Sequence, residues 1–225
     1  KKKIDDVTIQ WDNFKKYTNP YEFIHSMIPN STSISKLKPI SRSFYKMIEI
    51  CNNYNLLNNY ENKKINTFHL AEGPGGFIEA LSYLRNNPND NYTGITLISN
   101  DIDVPGWKKS QELIKKYKNI YIEYGKTKNG DIINFDNYNY CYNKYKNSMD
   151  IITADGGFDF SIDFNEQECI SSKLIFSETI YAISLQKKGG TFILKLFDVF
   201  TSFSNDIIYL LTSLYGNVNI YKPYT

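Results

Sequence analysis

The chain has 225 residues, 41% of them hydrophobic, and a formal net charge of +2. That length is enough for one α/β domain with a sizeable core, and that charge excludes a polycation held to its partner by bulk charge alone. The three cysteines, Cys51, Cys141 and Cys169, are odd in number and lack CxxC spacing, which argues against a disulfide framework or a cysteine zinc site and fits a reducing compartment. No stretch approaches about 18 consecutive apolar residues, and the first ten residues, KKKIDDVTIQ, hold no apolar signal core. We therefore expect a soluble, intracellular protein with no membrane partner. Arg42 and Arg85 are the only arginines, and the heavy use of Asn, Lys, Tyr and Ile reads as an AT-rich genome rather than as chemistry.

In chain order, WDNFKKYTNPYEFIHSMI (11–28) carries aromatic and apolar anchors, and PNSTSISKLKP (29–39) reads as a loop. Residues 41–60 predict a helix with Phe44, Met47, Ile48 and Cys51 on one face. From residue 65 strands and helices alternate. INTFHLA (65–71) is a strand, and Phe77, Ala80, Leu81 and Leu84 mark a helix. YTGITLI (92–98) is a strand, followed by a helix on Trp107, Ile114 and Tyr117, and NIYIEY (119–124) is the third strand. Residues 125–148 are polar and tyrosine-rich and read as an insertion or long loop. DIITADGG (150–157) is the fourth strand and its exit turn. A helix over 166–187 is expected to stop at Gly189-Gly190, TFILKLF (191–197) is the fifth strand, Phe203, Ile207, Leu210, Leu211 and Leu214 mark a helix, and NVNIY (217–221) begins a further strand. The alternation implies an α/β fold with a mainly parallel sheet and helices on both faces. Ligands of such sheets sit at the carboxyl ends of the strands, where the glycine knot AEGPGGF (71–77) and the DGG turn (155–157) both fall.

The knot is neither GxGxxG nor a P-loop. Its glycines allow a ligand close to the backbone, and free N–H groups at the next helix start favour an anion. A ligand with a carboxylate and a nucleoside, S-adenosylmethionine, suits it; a plain strand–helix turn would need the same residues. Asp155 ends an apolar strand and reads either as a functional carboxylate or as a turn former. Lys195 interrupts TFILKLF. On a central strand it would sit in low dielectric, where a neutral amine is accessible; on an edge strand it would merely snorkel. Lys46 alone says little, since Glu49 could pair with it.

SRSFYKMIEI, AEGPGGF, TADGGFD and FILKLFDVFT occur in that order at spacings of about 30, 80 and 40 residues. Together they resemble the FtsJ-like (RrmJ-type) ribose 2′-O-methyltransferases, and within them the cap-specific mRNA enzymes, most closely the versions of large cytoplasmic DNA viruses. The resemblance covers about residues 40–225. It implies a Rossmann-like class I fold dependent on S-adenosyl-L-methionine, over a single domain 1–225. Residues 1–60 would form an N-terminal helical extension, and 61–225 a core whose C-terminal end lies beyond Thr225. By motif position Lys46, Asp155 and Lys195 match the family's catalytic lysine, aspartate and second lysine. The family's glutamate lies in a segment after "KP.T", past the final YKPYT of this sequence.

The implied cofactor contacts are Ala71, Glu72, Gly73, Pro74, Gly75, Gly76, Phe77, Thr96, Gly130, Asp131 and Asp155. NGDI (129–132) resembles the segment that holds the adenine, with Asp131 on its amine. Two positions depart from the pattern: His69 stands where the family often has aspartate, and Thr96 where many methyltransferases have an acid for the ribose, with Asp101 and Asp103 as substitutes nearby. The implied partner is RNA, 5′-capped mRNA above all, gripped by Lys36, Lys38 and Arg42 and, less specifically, by tyrosines 138, 140 and 142. Association with other capping or transcription proteins and a cytoplasmic location, in a viral factory or virion for a viral protein, would follow. The chemistry requires no metal, and the sequence shows no His/Cys ligand cluster. Two other readings remain: methylation of another RNA, or a non-catalytic RNA-binding subunit that keeps the fold.

Overall fold

The computed structural model describes residues 6–24, 34–101, 104–157 and 166–225. Two helical pieces, α1 (Thr8–Thr18) and a 3-10 turn (Pro20–Ile24), precede α2 (Ser43–Asn53). The core then runs β1 (Asn66–Leu70), α3 (Gly76–Arg85), β2 (Asn91–Ile95), α4 (Gln111–Lys116), β3 (Ile120–Glu123), α5 (Phe135–Tyr145), β4 (Met149–Ala154), α6 (Gln167–Leu185), β5 (Gln186–Leu194) and α7 (Ser202–Leu214). The strands form one sheet in the order β3-β2-β1-β4-β5, and every pair is parallel.

The central strands β1 and β4 are covered on both faces, so they are buried almost throughout rather than at alternate positions, the polar Thr67, His69 and Thr153 included. Neighbouring residues serve opposite faces: Ile151 packs with Phe44, Met47, Ile78 and Leu81 beneath α2 and α3, while Ile152 packs with Phe68, Leu70, Tyr181 and Leu185 beneath α5 and α6. The chain reverses its winding direction between β1 and β4, the point at which such sheets open a crevice for ligands. None of the described helices is long and apolar enough to cross a membrane.

Four expectations change. Residues 125–148 are not a loop throughout: α5 is capped by Asn134, whose Oδ1 accepts from the Asp136 and Asn137 amides at 2.9 and 3.4 Å. Its inner face is Asn137, Tyr138 and Cys141, a stripe hidden in the sequence because tyrosine and asparagine read as polar. Second, α6 ends at Leu185, and the Gly189-Gly190 pair lies inside β5 at a register shift against β4. An added Cβ at Gly190 would meet the Asp150 carbonyl at 2.8 Å, so Gly190 serves close strand approach, while Gly189 supplies a φ of 79° at the irregularity, and neither stops a helix. Third, Trp107 stands in a turn before the short α4, and the helix expected over 41–60 ends at Asn53. Fourth, residues 217–221 form no strand, which leaves β5 at the sheet edge among the described residues.

Candidate active site

The backbone leaves β1 through Ala71, at φ 49°, and turns at Gly75, whose φ of 106° favours glycine. Glu72 folds inward and is buried. Its Oε1 accepts from the Phe77 and Ile78 amides at 2.6 and 3.2 Å, and its Oε2 from the Thr153 hydroxyl at 2.9 Å. His69, wholly buried, shares 2.7 Å hydrogen bonds with Thr153 and with Thr67. Burial raises the pKa of Glu72, against the pull of His69 and Thr153. The anion site expected at the start of α3 is thus partly filled from inside the protein: two of its N–H groups already face a carboxyl group. What the knot offers a ligand is its close-packed shape, since an added Cβ at Gly73 would lie 2.5 Å from the Gly106 carbonyl oxygen. Ser110 ties that neighbouring loop down by donating to the Pro74 carbonyl at 2.6 Å.

Thr96 follows β2 and is buried. The 129–132 segment presses against it so closely that a Cβ on Gly130 would lie 2.0 Å from the Thr96 carbonyl oxygen. The Ile98 amide donates to Asn129 at 2.8 Å, and Oδ1 of Asp131 accepts from the Ile133 amide at 2.9 Å. Buried Asn137 holds the segment from below, accepting from the Thr127 amide and donating to the Asp131 carbonyl at 2.8 and 2.9 Å. Asn137 and Ser110 escaped the sequence reading because lone polar residues carry no motif. Asp101 is exposed, and Asp103 lies outside the described residues, as do Phe158 and Asp159 of the DGG motif.

Asp155 and Lys195 come together. Nζ of Lys195 stands 3.1 Å from Asp155 Oδ1 and donates to the Asp155 carbonyl at 2.8 Å. It also sits 5.0 Å from the centre of the Phe197 ring, and both lie against Gly157, where an added Cβ would be 3.1 Å from Phe197 and 3.4 Å from the Lys195 Nζ. The low-dielectric setting expected of a central strand is not found: among the described residues β5 lies at the sheet edge, and the Lys195 side chain is 30% exposed. Placement comes instead from the paired carboxylate and carbonyl. The loop after Lys195 is fixed by Glu168 of α6, which accepts from the Phe200 and Thr201 amides at 3.2 and 2.8 Å. Burial would raise the Glu168 pKa, but hydrogen bonds from Ser204, Thr201 and Phe200 outweigh it and hold it at about 2.

Lys46 is half-buried on α2, between the anchors Phe44 and Met47. That helix seats on the start of α3 at Gly76, where an added Cβ would lie 2.1 Å from the Ser43 hydroxyl. Glu49, the suggested partner of Lys46, receives the C-terminal residues: the Tyr221 hydroxyl, the Tyr224 amide at 2.9 Å and the Thr225 hydroxyl at 3.2 Å. Lys36, Lys38 and Arg42 are exposed on the approach to α2, a segment fixed where Ile40 donates to Glu79 at 2.7 Å. Of the three tyrosines, Tyr138 packs inward against Tyr181 and shares a 2.9 Å hydrogen bond with Ser184, while Tyr142 is exposed. Among the described residues no group of three or more His, Cys, Asp or Glu could hold a metal ion.

A five-stranded parallel sheet with a glycine knot after β1 and a lysine-bound aspartate after β4 defines a Rossmann-like methyltransferase fold. The chain belongs to the FtsJ-like methyltransferase family, whose pattern matches residues 39–225. It is 31% identical over 153 residues to the cap-specific mRNA (nucleoside-2′-O-)-methyltransferase 1 of Trypanosoma brucei brucei, covering 67% of this chain and 40% of that protein. It is 30% identical over 217 residues to the mouse protein of the same name, covering 92% of this chain and 25% of that one. A Caenorhabditis briggsae relative named as an inactive cap-specific methyltransferase 1B is also 30% identical, over 70% of this chain and 19% of its own length. The chain thus spans well under half the length of these curated relatives. They are cellular proteins and do not carry the viral resemblance. A solved structure from Plasmodium falciparum named as a ribosomal RNA methyltransferase shares the fold, with a TM-score of 0.55 at 23% identity, over 81% of this chain and 90% of that one.

Proposed function

We propose that this chain transfers a methyl group from S-adenosylmethionine to a ribose 2′-hydroxyl of RNA, at the first transcribed nucleotide of capped mRNA. The observation that carries the reading is the doubly held Nζ of Lys195, on Asp155 at the mouth of the β1/β4 crevice. The chain's own residues suit the donor: Gly73 and Gly130 both pack against Thr96 so closely that a side chain on either would collide with neighbouring backbone, and Thr96, Asp131 and Asp155 would contact the bound donor. S-adenosylmethionine would supply an electrophilic methyl group on a sulfonium. Lys195, as the neutral amine, would take the 2′-hydroxyl proton while that oxygen bonds to the methyl carbon and the carbon–sulfur bond breaks. Asp155 orients the amine, and Lys46 positions the hydroxyl, so that much of the rate comes from alignment. Exposed Lys36, Lys38 and Arg42 are placed to hold RNA phosphates on the approach to Lys46.

The relative named as inactive favours a second reading, a fold-retaining subunit that binds without turnover. Labelled S-adenosylmethionine with matched short RNAs, one 7-methylguanosine-capped and one uncapped, separates the two once nuclease digestion locates the label. The proposal expects label on the first ribose of the capped RNA only. Label on both RNAs would indicate a general RNA ribose methyltransferase, and cofactor binding without label would indicate the non-catalytic subunit.

A further inference from the structure

Beneath the DGG turn lies a carboxyl group that no motif singles out. Glu178, on the inner face of α6, is 1% exposed. Its Oε1 accepts from the Gly156 amide at 3.2 Å, the peptide directly after Asp155. Gly156 is clasped there: an added Cβ would lie 2.4 Å from that oxygen, 2.8 Å from Leu174 and 2.9 Å from the Ala71 side chain. The charged and titratable groups that act on Glu178 come from three strand ends: Lys195 after β5, Asp155 after β4 and Glu72 after β1. Two of the three are carboxyl groups. We propose that Glu178 is a positioning residue of this site, a buried carboxyl group that pins the Gly156 amide from below and so sets Asp155 and Lys195. The proposal rests on reading Lys195 as the general base.

The physical case has two parts. The Lys195 amine is held by the carbonyl and carboxylate of Asp155, so a turn that shifts by a fraction of an ångström moves the base. Glu178 fixes that turn by its backbone. Charge is the second part. Burial raises the Glu178 pKa to about 8, against the pull of Lys195 and the Gly156 amide, so at neutral pH the acid form prevails. An ionised Glu178 would favour the ammonium form of Lys195, which cannot accept a proton.

The test compares wild type, Glu178→Gln and Glu178→Leu in the full-length protein, by S-adenosylmethionine dissociation constant, by kcat for capped RNA against pH, and by carbon-13 carboxyl NMR. Glu178→Leu should lower kcat by about tenfold or more while cofactor affinity stays within about threefold. Glu178→Gln, neutral and still an acceptor for the Gly156 amide, should restore most of that loss. It should also lack the fall in kcat that wild type shows as pH rises through about 8. The NMR should show one glutamate titrating near that pH in wild type and none in Glu178→Gln. Superimposable pH profiles for wild type and Glu178→Gln, or full kcat in Glu178→Leu, would overturn the proposal. If Glu178→Leu fails to fold, the Gln profile and the NMR decide alone. If wild type transfers no methyl group, the functional reading has failed, and the NMR titration still decides whether Glu178 is a neutral acid.

Discussion

Two turns leave the sheet side by side, the glycine knot after β1 and the DGG turn after β4, and each rests on a buried glutamate. Glu72 under the knot receives three hydrogen bonds, from Phe77, Ile78 and Thr153. Glu178 under the DGG turn receives one recorded bond, from Gly156. Burial raises the pKa of both, but only Glu72 has the donors of a helix start around it. The two carboxyl groups therefore do different work: one closes a helix end and joins strands β1 and β4, and the other holds a backbone turn beside Lys195. A buried carboxyl group is read by its donors, not by its burial.

That contrast can be broken at several strengths. The largest stability effect belongs to Glu72→Ala, which leaves the Phe77 and Ile78 amides buried without their acceptor, at about 1–3 kcal/mol for each group left unpaired. Thermal melting followed by circular dichroism should show a fall in Tm well beyond that of Glu178→Leu, whose main loss is turnover. Equal losses of Tm in the two variants would erase the distinction. A smaller effect sharpens it through pH. A carboxyl group whose folded pKa is raised from 4.5 to about 8 binds its proton more tightly in the folded state. Its contribution to stability is therefore fully present below pH 4.5 and declines as pH rises toward about 8. Denaturant unfolding across that window should show wild type losing stability relative to Glu178→Gln, and parallel curves would contradict it.

The sheet was legible because its strands are short apolar runs bounded by glycine, proline and asparagine, and period alone separates them from the helices between. Helix α5 was not legible because its buried stripe of Asn137, Tyr138 and Cys141 lies in a run of asparagines and tyrosines, FDNYNYCYNKY, whose inward members look like the exposed ones. Gly189-Gly190 misled for a related reason: glycines end helices and also serve strand irregularities, here through the positive φ of Gly189 and the close approach of Gly190 to β4. In the site, Asp155 and Lys195 were found by motif, and the structure joins them at 3.1 Å. The residues that hold the backbone around them, Glu178 and Glu168, lie on α6 with no local pattern, and their partners Gly156, Phe200 and Thr201 are 22 to 33 residues away in the chain. Long-range pairing of that kind leaves no trace in a window of sequence.

The central claim is that Lys195 acts on the proton of the substrate and not on the binding of the methyl donor. The most direct measurement is a single-turnover methyl-transfer assay of Lys195→Ala on capped RNA, with the S-adenosylmethionine dissociation constant measured on the same preparation. The account predicts transfer lost to background and a dissociation constant within about threefold of wild type, since the removed amine touches Asp155 and not the glycine knot. Robust turnover by the variant would contradict it.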